Sequence, residues 1–324
     1  MINIILDNSD ESRMISLRTL NTMKENHENG LKTVALNEEE LGEWHDTLVS
    51  MCLDINEVCQ SNGIEYCLHC GSALGAVRHD GFIPWDDDLD LVMPRKDIYR
   101  FIDAFRSEYG KEYSVLVPGE TDDCRAPFLK VILRDTVLKD RNTYHTEECG
   151  VFIDIFAYDL VPNNTLERKL FKIKSHALHF LSSCRWFYED KDLMYAIVGS
   201  DREAKRIVNL KVFIGRLLSV KPVRYWTKKS FEYDGKYRDT CNDYISDVRI
   251  MDTTLAKRDS VFPAKLHAFN NYMLPIPNNA DEILTNLYGD YMQLPPKDER
   301  ITHGFFEVKL PGWKQSKLPD ITED

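Results

Sequence analysis

Residues 86–90 crowd four aspartates into five positions, Asp86, Asp87, Asp88 and Asp90, between the apolar runs Phe82-Ile83-Pro84-Trp85 and Leu91-Val92-Met93. Alternate residues of an extended segment share a face, so Asp86, Asp88 and Asp90 are expected to point one way and Asp87 to solvent. Carboxylates held that close repel one another and raise each other's pKa. A divalent cation resolves the conflict, and oxygen-only ligands favour Mg2+ or Mn2+ over zinc. An exposed acidic turn would also account for a charge cluster. A calcium loop would not, because its sixth position needs glycine and Leu91 stands there.

A further carboxylate, Asp154, lies inside the apolar run Val151-Phe152-Ile153-Asp154-Ile155-Phe156. Burial there is costly unless the charge is paired or coordinated. On a strand beside Leu89–Met93 it would sit about 5 Å from the aspartate row. Two carboxylates on one strand and one on the next make a two-metal clamp for phosphoryl transfer. Asp159 is nearer a turn and reads as structural. Upstream, Gly71-Ser72 follows a strand signal. Glycine lets backbone approach a phosphate, and Ser72 with the N–H groups of a helix start can hold its oxygens. Arg78 and His79 are natural phosphate contacts in the segment between.

Other candidates each carry two readings. Lys130, in Phe128-Leu129-Lys130-Val131-Ile132, reaches a donor phosphate or snorkels from a strand edge. Arg300 and His303, beyond Pro295-Pro296, close over the site or solvate a surface. His69 reads as a hydrogen-bonded core residue, and Trp85 and Tyr66 as core packing rather than stacking platforms. Cys67 and Cys70 form a C-x-x-C with no second pair at zinc-ligand spacing.

Helices and strands must position these groups. Asn37 with Glu40 predicts a capping box, and Leu41, Trp44, Leu48, Met51, Cys52, Ile55 and Cys59 follow at helical spacing up to Gly63, a C-terminal glycine. Strands are expected over Ile64–Cys70, Leu89–Met93, Ser114–Val117, Phe128–Leu133 and Gly150–Phe156, with a short helical turn at 71–79 and a helix led by Pro94. A further helix is expected at Asp281–Tyr288. The expected organisation is a leader at 1–36, a catalytic α+β core at 37–162, a helical insertion at 163–240, and a part at 241–324 that completes the site. The stretch 165–236 holds 16 Lys and Arg against 8 Asp and Glu, a net of +8, leaving −20 for the remainder. That face is either simply solvated or meets an anionic acceptor or the inner membrane leaflet.

The 324 residues allow one large domain or two ordinary ones, and a net charge of −12 argues against broad nucleic-acid binding. No apolar run approaches the roughly 20 residues a bilayer span needs. The first residues are too short an apolar run for a signal peptide. A cytoplasmic protein with eight reduced cysteines is the expectation.

Glycine-serine, then Asp88-Leu89-Asp90, then a third aspartate on a later strand resembles the nucleotidyltransferase fold of the DNA polymerase beta type. The fuller string from Gly71 to His79, with Gly81-Phe82-Ile83-Pro84-Trp85-Asp86-Asp87-Asp88-Leu89-Asp90, resembles the LicD family, whose members include phosphocholine transferases of bacterial surface polysaccharides and relatives of fukutin. Phe152-Ile153-Asp154-Ile155-Phe156, Asp159, Tyr288-Gly289-Asp290-Tyr291-Met292, Pro295-Pro296, Arg300 and His303 continue the match. The resemblance implies transfer of a phosphorylated alcohol (phosphocholine, ribitol phosphate or glycerol phosphate) from a CDP-linked donor to a sugar hydroxyl of a glycan or its lipid-linked precursor, with release of CMP. It implies metal ligands at Asp88 and Asp90, with Asp86 assisting through water. Asp154 would complete a second metal site or accept the acceptor's proton. Gly71, Ser72, Arg78, His79 and Lys130 would face donor phosphate. Such transfer rests on positioning and charge neutralisation. A metal-dependent glycosyltransferase shares the Asp-x-Asp but requires neither Gly71-Ser72 nor Asp154. A non-catalytic glycan-binding module would not need the full carboxylate set.

Overall fold

The computed structural model describes residues 34, 36–140, 143–296, 300 and 305–313. The leader expected at 1–36 falls almost wholly outside the described residues, and so does His303.

Helix α1 (Glu38–Asn62) starts at the expected cap. Asn37 Oδ1 accepts the Glu40 N–H, Glu40 Oε2 accepts the Asn37 N–H, and Gly63 ends the helix in the left-handed region at φ 58°. Strand β1 is only Cys67–Leu68. Helix α2 (Cys70–His79) follows at once, longer than the turn expected there. Strand β2 (Asp90–Pro94) runs into helix α3 (Arg95–Tyr109). Strands β3 (Tyr113–Leu116), β4 (Leu129–Leu133), β5 (Val137–Lys139) and β6 (Phe152–Val161) complete the first half. The short β5 had no clear sequence signal.

The sheet runs β1-β2-β6-β4-β3, with β2 and β6 parallel and the other pairs antiparallel. Alternation divides its faces. Leu91, Met93, Ile153, Ile155 and Val131 pack against Trp44, Ile55, Phe101 and Phe105 of α1 and α3. On the opposite face lie Val92, Phe156 and Tyr158.

The region from 165 is helical, as its periodicity predicts: α4 (Thr165–Glu189), α5 (Lys191–Val198), α6 (Arg202–Leu217) and α7 (Val223–Asp234). Strand β7 (Tyr244–Ser246) then pairs with the far half of β6, Asp159 opposite Ser246. After helix α8 (Met251–Thr254), strand β8 (Ala256–Lys257) and helix α9 (Arg258–Val261), the segment around Phe262–Pro277 forms a hairpin of β9 (Lys265–Phe269) and β10 (Tyr272–Ile276). Helix α10 (Ala280–Tyr288) lays Ile283 and Leu287 on the Val92–Phe156 face, and β11 (Glu307–Lys309) pairs β5.

Asp159 is structural, and it lies toward the far end of β6, two residues before Val161. Arg95, the first residue of α3, grips it with two hydrogen bonds, Nε to Oδ1 and Nη2 to Oδ2, both 2.7 Å, with both side chains buried. The guanidinium also lies 3.9 Å from the ring centre of Phe231 on α7, which ties the helical region to the sheet. Within the helical region, Asp234 at the end of α7 ties that helix to α4 by accepting from Ser175 and pairing with His179. Removing one partner of such a buried pair strands the other charge. Asp159→Ala is expected to lower stability by about 3–5 kcal/mol in urea unfolding; a loss below about 1 kcal/mol would show that the pair does not hold α3 to β6.

Candidate active site

The aspartate segment is not a strand until Asp90. Residues 86–89 are irregular, so alternation does not govern them, and Asp87 is buried rather than solvent-facing. Helix α1 holds this segment by its backbone: Trp44 Nε1 donates to the Asp87 carbonyl (2.9 Å), and His45 Nε2 lies 2.7 Å from the Asp86 carbonyl while its ring stacks on Phe82. Burial lowers the His45 pKa, with the Asp86 carbonyl opposing. Ser72 Oγ accepts the Asp90 N–H (2.8 Å), fixing the start of β2 to α2 and leaving the hydroxyl proton for another acceptor. Gly71 has a reason within the fold. A Cβ there would stand 2.8 Å from Asp86 Oδ2, so the bare backbone is what admits that carboxylate.

Three charges line up across adjacent strands. Asp90 on β2 is the register partner of Asp154 on β6, which is the partner of Lys130 on β4. Register partners share a face, and neighbouring strands lie about 4.8 Å apart. Lys130 Nζ donates to Asp154 Oδ1 at 2.6 Å and lies 3.0 Å from the ring centre of Phe152. It is buried, so it does not snorkel. Burial raises the Asp154 carboxyl; Lys130 pulls it back, Asp88 pushes it up again, and the net shift is upward.

The C-terminal part adds groups with no assigned role in the sequence reading. Arg249 is gripped by Asp247, Nε to Oδ1 at 3.0 Å and Nη2 to Oδ2 at 2.5 Å. Its guanidinium rests over the rings of Phe156 and Phe128, on the same sheet face as Asp154. Burial works against its charge, Asp247 most strongly offsets that, and Asp90 is close enough to add to it. Tyr288, ending α10, has its hydroxyl pushed well up by burial and by Cys70, Asp90, Asp86 and Asp88. The Cys70 thiol is pushed well up by burial, Asp90 and Asp247, so it is neutral and no nucleophile. His69 is buried as expected, but its side-chain Nε2 has no hydrogen-bond partner and stands 3.6 Å from Asp247 Oδ2. Arg249 was illegible because β6–β7 pairing, not local spacing, brings it in.

The remaining candidates form a separate group about 9 Å further along α2, at 1.5 Å per residue. Arg78 donates to the Tyr291 carbonyl (2.8 Å) and to His79 Nε2 (3.0 Å). Arg300 stacks on Trp85, 4.7 Å from its centre, and His79 meets the same ring edge-on. Trp85 is thus a half-buried platform for Arg300, while Tyr66 is buried core, bonded to Asn56.

The donor set suits a hard cation by chemistry and by the Asp90–Asp154 register. Among the described residues, however, no three His, Cys, Asp or Glu side chains converge into a metal cluster, and Asp154 Oδ1 is engaged by Lys130.

Residues 63–185 match the family model described as "LicD/FKTN/FKRP, nucleotidyltransferase domain". The chain carries a LicD-family domain. This LicD domain spans Gly71, Ser72, the aspartate segment, Lys130 and Asp154. The chain is also 29% identical over 295 residues to the lipopolysaccharide cholinephosphotransferase LicD of Haemophilus influenzae, covering 86% of this chain and 100% of that protein. An uncharacterised protein of Rickettsia prowazekii is 26% identical over 40% of this chain and 46% of its own length. One from Rickettsia typhi is 42% identical over 17% and 18%. No helix among the described residues is long and apolar enough to cross a membrane.

Two outcomes test this geometry. Lys130→Met leaves Asp154 buried without its cation and is expected to cost about 3–5 kcal/mol in urea unfolding, and Asp154→Leu in the same chain to restore much of it; additive losses would break the pairing. For Asp247, burial pushes the carboxyl up, but Arg249 and His69 outweigh it and hold it well below the usual range. Its contribution is complete above the unfolded value of about 3.9 and is lost as pH falls toward the folded one. Asp247→Asn should therefore lose less stability than the wild type between about pH 5 and pH 3; parallel curves would contradict the pairing.

Proposed function

We propose that the chain is a metal-dependent transferase on a nucleotidyltransferase-like fold of the DNA polymerase beta type. It moves a phosphorylated alcohol, phosphocholine or a relative such as ribitol or glycerol phosphate, from a CDP-linked donor to a sugar hydroxyl of a cell-surface glycan or its lipid-linked precursor, and releases CMP. The observation that carries this reading is the Asp90–Asp154–Lys130 row inside the LicD domain, in a chain that aligns with the whole of a lipopolysaccharide cholinephosphotransferase. We assign the reaction to the cytoplasm; eight free thiols support an unoxidised setting.

A donor diphosphate meets a face lined by Asp88, Asp90 and Asp154, which alone would repel it. Mg2+ or Mn2+, held by Asp88 and Asp90, would supply the missing positive charge. The chain's own groups do the rest. Lys130 at one end of the row and Arg249 near Asp90 add fixed cations. Ser72 has a hydroxyl proton to offer a phosphate oxygen. Asp154, its pKa raised, is suited to taking the proton from the acceptor hydroxyl. Asp86 is assigned a supporting role beside Gly71, and Arg78, His79 and Arg300 a role at the outer end of the donor site.

The test is a calorimetric titration of the purified chain with CDP-choline, CDP-ribitol, CDP-glycerol and a UDP-sugar, each with and without Mg2+. One cytidine donor is expected to bind in a metal-dependent way, and Asp90→Asn to abolish that binding and lower the transfer rate at least about 100-fold with folding retained. An unaffected rate would sink the reading, and preference for the UDP-sugar would replace it with a glycosyltransferase.

A further inference from the structure

Helix α6 packs its inner side tightly on α4. A Cβ on Gly215 would stand 2.0 Å from the Cys184 carbonyl oxygen, and Val208 is buried. Its outer side is unusual for a solvated helix. Arg206, Leu210, Phe213 and Leu217 follow at i, i+4, i+7 and i+11, one column on the side away from Gly215. Leu210 is 44% exposed, Phe213 62%, Leu217 65%, and Val220, just beyond the helix, 84%. The helix carries five basic residues and one acidic residue, Glu203. Of the five, Lys211 turns inward to Ser183 and Phe187. Arg202, Arg206 and Arg216 lie exposed at the ends and flank of the apolar column.

An apolar stripe bordered by arginines matches one kind of surface: acyl chains below anionic headgroups. A second copy of the chain is a poorer complement, because self-pairing of α6 would set its cations against their own copies. The exposed stripe Leu166, Leu170 and Ile173 on α4 has a thinner border: Lys169 is exposed beside it, but Arg168 donates to the Pro162 carbonyl, Lys172 pairs with Asp252 and Lys174 lies over Tyr233.

We propose that the outer face of α6, extended by Val220, seats the protein on an anionic bilayer surface, with Phe213 and Leu217 inserted and Arg202, Arg206 and Arg216 among the headgroups. The proposal does not rest on the transferase reading, since binding is read without donor or acceptor.

The test is cosedimentation of the full chain with vesicles of phosphatidylglycerol and phosphatidylcholine, and of phosphatidylcholine alone, at low salt and at about 0.5 M salt. Binding is expected only to the phosphatidylglycerol vesicles, and to fall with salt. Phe213→Glu with Leu217→Glu should weaken it at least about tenfold, and Arg206→Gln about fivefold. The replaced side chains are exposed, so circular dichroism and thermal unfolding should match the wild type. Absence of binding at low salt, or unchanged binding by the double variant, would overturn the proposal. So would a wild-type dimer that the double variant dissociates without any vesicle binding, which would give the face to a second copy.

Discussion

An ionised carboxylate in the middle of an apolar strand is the constraint around which this structure is arranged. Asp154 is tolerated because Lys130 lies directly across the ladder, itself covered by Phe152. Take that cation away and β6 has an unpaired charge in its core. With it, the strand can keep fully apolar residues on its other face against α1 and α3 while presenting acid on this one. Burial and the nearby Asp88 push the Asp154 carboxyl up, and the pairing with Lys130 is what opposes them.

Strand β6 serves two purposes along its length. Its first half aligns Asp154 with Asp90 and Lys130. Its second half carries Asp159 in the grip of Arg95, backed by Phe231 of the helical region. Chemistry and scaffold are thus carried by one element, and the helices at 165–234 are fastened to the same strand that presents Asp154. The aspartate segment is held by its own backbone: the carbonyls of Asp86 and Asp87 meet the His45 and Trp44 side chains of α1, and the Asp90 N–H donates to Ser72.

Much of this was legible in the sequence. The cap at Asn37, the helical stripe to Cys59 and the strands around Asp90, Lys130 and Asp154 follow from periodicity and punctuation, and a lone Asp in an apolar strand announces that it has a partner. What stayed hidden has particular causes. Alternation governs only residues in a ladder, and Trp44 and His45 hold 86–89 out of it, so Asp87 turns inward. The partner of Lys130 lies 24 residues on, beyond the reach of any local pattern. Arg249, Asp247 and the position of Tyr288 depend on β7 and α10 folding back over the sheet, and no local spacing records that return.

The parallel pairing of β2 with β6 has a consequence for how the molecule assembles. Lys130 and Asp154 meet across 24 residues, whereas Asp90 and Asp154 are 64 residues apart. Loop-closure entropy rises with separation, so the contact that neutralises Asp154 closes the cheaper loop, and the one that sets two acids side by side closes the longer. Arg249 and Tyr288 come later still in the chain. A ribosome therefore releases the acidic strand together with its own counter-ion hairpin, well before the residues that finish the pocket have emerged.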